Sequence, residues 1–472
     1  MSKPLFPHQH QGAMRIAEKQ PTYLALDMGI GKTRTFIEAC LLRHAKRILV
    51  ICPASAVLVW KREITLWHPG ATFVIVRAPA DFTKPANYFI VSHGLMSQTN
   101  GEVANALVNT PFGFELTAVD EAHAFNAADT NRVKVLRRAA PKLGQIVPLS
   151  GTPMRNHAGD LYTLLSICWP KGLGMARHEY EERFCKVANK YFGGSRPIRV
   201  IEGSKNLDVL KKLIAPFMMR VRKEDVFKDL PAIIWDQIPV PLDHSHLPDH
   251  EARQLEVAFA TAFQGKGATA GLDDLTDLLA SMDKKPGLMS LRRMLGLAKL
   301  RGATEYIVDM LDNLPENRKV LVFAHHSEVI RALTTHFAEY SPAVLVGSTT
   351  PREREEAVDK FLNDPKCRVF VGNIQAAGTA ITLVGPKCKC SDVIFVESSW
   401  TPMDNAQAAC RVHRIGQHDG VVARMLSATG TVDDLINGLL VRKAREFTQL
   451  FDAAPDQHDG KDNQQPEYRV QK

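Results

Sequence analysis

Lys32 and Thr33, directly after Gly29-Ile30-Gly31, are of the right types and spacing to handle phosphate. They follow a short apolar run, Tyr23 to Leu26, that reads as a buried strand, and they open a helical pattern through Phe36, Ile37 and Cys40. A strand, a glycine turn, Lys-Thr and a helix are the parts of a phosphate-binding loop. The glycines let backbone N–H groups curl around an anion, and the helix N-terminus adds partial positive charge. In that chemistry Lys32 reaches the β- and γ-phosphates and the Thr33 hydroxyl holds Mg²⁺. The expected nucleotide-binding set is Met28, Gly29, Ile30, Gly31, Lys32 and Thr33. One position departs from the full pattern, since Leu26 stands where a further glycine is usual. The same residues also suit an ordinary strand-to-helix turn.

A second constellation is Val119 to His123, VDEAH, at the end of the apolar run Leu116 to Asp120. Ligands of parallel α/β sheets bind at the carboxyl ends of strands. Two adjacent carboxylates there can divide labour: Asp120 holds Mg²⁺, and Glu121 orients or deprotonates an attacking water. A capped loop with solvated charges is the alternative for an isolated Asp-Glu pair. A third run, Ile146 to Asn156 (IVPLSGTPMRN), ends in Ser150-Gly151-Thr152, hydroxyls placed to sense a γ-phosphate or simply to cap a turn.

These residues need a scaffold, and the apolar runs supply one. Arg47 to Cys52, Thr72 to Val76 and Tyr88 to Ser92 read as further strands, with a helix over Ala56 to Leu66 between the first two. A helix begins near Gln9. Runs that are apolar throughout suit parallel strands buried on both faces, and their alternation with helices predicts a doubly wound α/β domain. Asp160 to Pro170 reads as an amphipathic helix. The pattern then returns: strands at Lys319 to Ala324, Arg368 to Gly372 and Val393 to Val396, and helices at Ser327 to Glu339 and after the capping box Thr350-Pro351-Arg352-Glu353. Gln407 to Gln417, QAACRVHRIGQ, carries Arg411 and Arg414 three apart, on one helical face if the helix persists that far.

With 59 Lys and Arg against 51 Asp and Glu, the chain of 472 residues carries a net charge of +8, which suits a polyanionic partner. Eight scattered cysteines point to a reducing compartment rather than a disulfide scaffold. Cys388 and Cys390 lack a second pair at zinc spacing and are expected as free thiols in a loop. The N-terminal MSKPLFPHQHQG is no signal peptide, and no apolar run approaches the ~18 residues that span a bilayer. A cytoplasmic protein with no membrane partner is expected.

PHQ near the start, DMGIGKT, VDEAH and LSGTPMRN, in that order, resemble the superfamily-two helicase motor, and within it the Swi/Snf-type DNA translocases. QAACRVHRIGQ matches that family's last motif, and VFAHH with its spacing to GSTTPRERE resembles the HepA-related annealing-helicase branch. The resemblance covers Pro4 to about Phe451. It implies two RecA-like doubly wound parallel-sheet domains with an ATP cleft between them: residues 1–165 as the first, 166–290 as a helical linker and insertion, 291–452 as the second, and a disordered tail over 453–472. Residues 265–287, rich in Gly, Asp and Lys, read as a flexible insertion. ATP and Mg²⁺ are the implied cofactors, and DNA, duplex or forked, the implied partner. Gln9 corresponds to the family's adenine-reading glutamine. Gly378 sits in AAGTAITL, which resembles the family's A-G-G-x-G-x-N-L motif with Ala377, Ala380 and Thr382 substituted. Arg411 and Arg414 would be arginine fingers supplied by the second domain. Arg220, Arg222 and Lys223 resemble part of the family's linker, where they would touch DNA phosphates; a solvated charged face is the alternative. ICPASAVLVW would touch the DNA backbone.

The activity so implied is ATP-driven movement along DNA. A strand-separating DNA or RNA helicase is a first alternative. A nucleotide-switched DNA-binding scaffold, or the motor subunit of a larger machine, is a second. The chain reads as a bare motor of bacterial or viral origin, targeted by a protein partner.

Overall fold

The computed structural model of the chain describes residues 4–98, 101–190, 197–227, 233–263, 288–377, 381–385, 388–414, 417, 419–428 and 431–451. The expected insertion over 265–287, the tail over 453–472 and Gly378 lie outside the described residues.

The chain divides into two units. The first comprises Met1–Lys190, Ile198–Phe227 and Arg445–Ala454, and the main body of the second is Lys228–Ala444. The strands of the first are β1 (Tyr23–Leu26), β2 (Ile48–Cys52), β3 (Phe73–Ile75), β4 (Tyr88–Ser92), β5 (Leu116–Asp120), β6 (Gln145–Leu149), an antiparallel hairpin of β7 (Cys185–Lys190) and β8 (Ile198–Ser204), and β9 (Met218–Val221). Its main sheet has the order β3-β4-β2-β5-β6-β1-β9. Every described pairing in it is parallel. Successive side chains of a strand point to opposite faces, so β1 and β2, buried at every position, must be covered on both sides.

The second unit repeats the architecture with β10 (Ile234–Pro239), β11 (Arg318–Ala324), β12 (Ala343–Leu345), β13 (Val369–Asn373), β14 (Lys389–Phe395) and β15 (Val422–Ser427), all parallel, in the order β10-β15-β14-β11-β13-β12. Its core centres on β11, from Val320 to Ala324. Two doubly wound parallel-sheet domains are thus present.

The unit borders differ from those read in the sequence. Residues 166–190 and 197–227 are not wholly helical: they hold the β7–β8 hairpin, and β9 joins the first sheet by pairing Tyr23 to Leu26 with Met218 to Val221. The first helix runs Pro7–Ala17, two residues earlier than expected, because Pro7 takes the first helical position, where no N–H is needed. Cys390 stands on β14 rather than in a loop, and Cys388 is buried beside it. No described helix is long and apolar enough to cross a membrane.

Candidate active site

β5, β6, β1 and β9 are neighbours in the first sheet, so the loops at their carboxyl ends lie side by side. After β1, Gly29 and Gly31 adopt positive φ of 82° and 93°. At Gly31 glycine is required twice over, by that φ and because a Cβ would stand 2.1 Å from Gln9 Nε2. Gly31 caps the helix Lys32–Leu42, which places Lys32 and Thr33 in its first turn. The loop is braced from behind: His8 Nε2 and Gln9 Nε2 both donate to Ile30 O, at 2.8 and 3.2 Å, while Gln9 Oε1 accepts from Phe6 N. The Gln9 amide is therefore engaged on the loop backbone. Lys32 Nζ donates to Leu26 O at 2.9 Å and Asp27 O at 3.2 Å. Leu26, where a glycine was wanted, is still part of β1 and offers its carbonyl to the lysine. Burial pushes the Lys32 ammonium below its ordinary value, while the carboxylates of Glu121, Asp120 and Asp27 pull it up.

At the end of β5, Asp120 is gripped at both oxygens: Oδ2 accepts from Trp60 Nε1 at 2.8 Å and Oδ1 from Glu121 N at 2.9 Å. His93 Nε2 lies 3.0 Å from the Asp120 carbonyl. Burial, then the neighbouring Glu121, push the Asp120 carboxyl upward, which favours a cation arriving beside it. Glu121 adopts left-handed backbone, φ 46° and ψ 51°, in a non-glycine residue, a strained turn of the kind that clusters at functional sites. Its Oε2 is buried and accepts no hydrogen bond. His123 Nδ1 stands 3.4 Å from that oxygen, 3.1 Å from Ser150 Oγ and 3.3 Å from Thr152 Oγ1. Gly151 lies against the phosphate loop, with its Cβ position 3.3 Å from Leu26 O and 3.5 Å from Met28 N. Lys32, Asp120, Glu121 and the Ser150-Gly151-Thr152 turn are therefore brought together. A buried carboxylate oxygen with no donor, beside a loop built of left-handed glycines, fits a nucleotide with Mg²⁺. Thr33 and Asp120 would hold that ion.

The second unit holds the two arginines, and the helix before them stops short. It runs Pro402–Ala409, so Arg411 and Arg414 lie beyond its end. Arg411 is buried; its Nε donates to Gln407 O at 3.0 Å, closing the last turn, and its Nη1 donates to Ile381 O at 3.0 Å. Arg414 is half-buried, donates through Nε to Cys410 O at 3.2 Å and through Nη1 to Thr382 Oγ1.

β1 to β9 fall within the span of one family model, and β11 to β14 within that of another. Residues 8–284 match the SNF2-related domain, and residues 302–416 match the helicase conserved C-terminal domain. The chain belongs to the SNF2-related family.

It is 28% identical over 455 residues to the DNA annealing helicase and endonuclease ZRANB3 of Homo sapiens, covering 93% of this chain and 40% of the relative. It is also 28% identical over 454 residues to the SWI/SNF-related matrix-associated actin-dependent regulator of chromatin subfamily A-like protein 1 of Xenopus tropicalis, covering 94% of this chain and 45% of that one. The chain thus spans less than half the length of these relatives. A solved Sulfolobus solfataricus SWI2/SNF2 ATPase core in complex with dsDNA is similar at 20% identity and a TM-score of 0.42, over 96% of this chain and 98% of that chain.

Within this SNF2-related site, motif reading missed the supports. Trp60 reads in sequence as an apolar face residue, yet a buried indole N–H needs an acceptor, and Asp120 supplies it. His93 gives no local signal. Among the linker cations, Arg220 donates to Asp27 Oδ1 at 2.6 Å rather than facing solvent, Lys223 is buried, and Arg222 pairs with Glu224 and Asp225.

Proposed function

We propose that this SNF2-family chain is a DNA-dependent ATPase that couples ATP hydrolysis to movement along duplex or forked DNA. The observation that carries the reading is the buried Oε2 of Glu121, which accepts no hydrogen bond, beside Lys32, Asp120 and the glycine loop. Family membership supports the ATP-driven motor, and the relatives' names, a DNA annealing helicase among them, support DNA as the partner.

In this mechanism Lys32 leaves the Leu26 and Asp27 carbonyls to bind phosphate oxygens. Mg²⁺, when bound, neutralises charge on the transferring phosphoryl group. Glu121 accepts a proton from the attacking water at Oε2. His123 links that carboxylate to Ser150 and Thr152, so the turn after β6 registers what occupies the site. From the second unit Arg414 serves as the finger. Arg411, with two donors committed to backbone carbonyls, shapes the loop that presents it. ATP turnover drives the step along DNA.

The test separates binding from cleavage. Lys32→Ala should lose ATP binding, and Glu121→Gln should keep it while turnover falls about 10²–10⁴-fold. A Glu121→Gln protein hydrolysing ATP at the wild-type rate would remove Glu121 from the reaction. Normal ATP binding by Lys32→Ala would end the phosphate-loop assignment.

A further inference from the structure

Asp27, the residue that opens the phosphate loop, has both carboxylate oxygens occupied. Arg220 Nη1 on β9 donates to Oδ1 at 2.6 Å, and the backbone N–H of Lys223 donates to Oδ2 at 2.8 Å. Arg220 Nη1 also reaches Ala25 O at 3.2 Å, and Asp27 N–H donates to Val221 O at 3.0 Å. The two side chains keep 13% and 29% of their exposure, so the ion pair is sheltered and its hydrogen bonds are charge-assisted. Asp27 also carries one of the two carbonyls on which Lys32 Nζ rests, at 3.2 Å. The residue clamped to β9 is thus the seat of the phosphate-binding lysine.

The clamp has a cover. The Arg220 guanidinium carbon lies 5.4 Å from the ring centroid of Phe447, which is buried. The adjacent Glu446 accepts from Ser204 Oγ at 2.6 Å, and Ser204 Oγ accepts from Ala158 N at 2.9 Å. Two neighbouring residues thus reach this region: Phe447 covers the clamp behind the phosphate loop, and Glu446 holds Ser204, which in turn receives the Ala158 N–H.

We infer that Arg220 is a positioning residue for the ATP reaction: through its ion pair with Asp27, covered by Phe447, it sets the phosphate loop and Lys32 for nucleotide. This rests on the nucleotide reading above. It assigns to the loop a linker cation that a charge pattern alone would give to DNA.

The experiment uses the full chain and ATP itself. Calorimetric ATP binding without nucleic acid is measured beside kcat and KM with duplex DNA, and beside the salt dependence of duplex affinity. Arg220→Gln and Asp27→Asn should each weaken ATP binding about tenfold and raise KM in step. The double variant should be no weaker than either single one, as expected of residues acting as a unit. Asp27→Glu, which keeps the carboxylate, should stay near wild type. So should Arg222→Gln, an exposed arginine paired with Glu224 and Asp225. Duplex affinity and its salt slope should not change in any of them. If Arg220→Gln binds ATP normally but loses DNA affinity and about one unit of salt slope, Arg220 is a phosphate contact and the inference fails. Should Arg220→Gln not fold, the contrast of Asp27→Asn with Asp27→Glu decides, and equal ATP affinities in the two would overturn it. A wild-type chain that binds no ATP overturns the nucleotide reading and the positioning role together. A wild-type chain that binds ATP, with both single variants unaffected, overturns the positioning role alone.

Discussion

Glu397, in the second unit, shows how a single buried charge is made tolerable. Its Oε2 accepts from the backbone N–H groups of His325 and His326 at 2.9 Å each, and its Oε1 meets His326 Nδ1 at 2.6 Å. Burial alone would raise its carboxyl, but the His326 ring and the two N–H groups outweigh that and hold it below the ordinary value. The unfolded chain takes up a proton near pH ~4.3 and the folded one only below that. The stabilisation is therefore complete above that value and is lost as pH falls through the lower folded value. Glu397→Gln should destabilise the protein by about 1–3 kcal/mol at pH 7. Urea unfolding of variant and wild type should converge below pH ~4; a gap independent of pH would show that the charge is not what matters. In the first unit Asp120 also accepts from a side chain and a backbone N–H, those of Trp60 and Glu121, but there burial wins and the carboxyl is pushed upward. Such residue pairs join positions far apart in the chain, and no local spacing announces them.

Elements were the more legible level. Tyr88–Ser92 and Leu116–Asp120 form strands with the bounds read from the sequence, buried on both faces, with the one polar side chain inside the second, Thr117, donating to Leu143 O at 2.7 Å. The capping box is equally local: Thr350 Oγ1 accepts from Glu353 N, and Glu353 Oε2 accepts from Thr350 N at 2.7 Å, starting the helix Pro351–Asn363. Thr350→Ala should cost about 1 kcal/mol of stability, read as a lowered urea midpoint, and an unchanged midpoint would show the cap to be idle. β9 escaped notice because MMRV is short and charged, and it becomes a strand only by pairing with β1. The helix over Pro402–Ala409 stops short of Arg411 and Arg414. It ends because Arg411 turns back to the Gln407 carbonyl, a side-chain closure that periodicity does not encode. The phosphate loop itself was readable from GIGKT, but its bracing by His8, Gln9 and Arg220 depends on residues brought in by other elements.

At the scale of the whole molecule, the chain is built of two parallel α/β units. The first holds the loop, the carboxylates and the hydroxyl turn; the second holds the arginines. The composition, at +8 overall, suits a polyanion without choosing one. Family membership supports the ATP-driven motor, and the proposed reaction rests on residues of the first unit. The central claim is that ATP turnover is coupled to DNA. The measurement that tests it most directly is steady-state ATP hydrolysis by the purified chain, first without nucleic acid and then with duplex DNA, forked DNA, single-stranded DNA and RNA in turn. Strong stimulation by duplex or forked DNA, abolished in Glu121→Gln, is the predicted result. Stimulation by RNA or single strands alone, or hydrolysis indifferent to every nucleic acid, would contradict it.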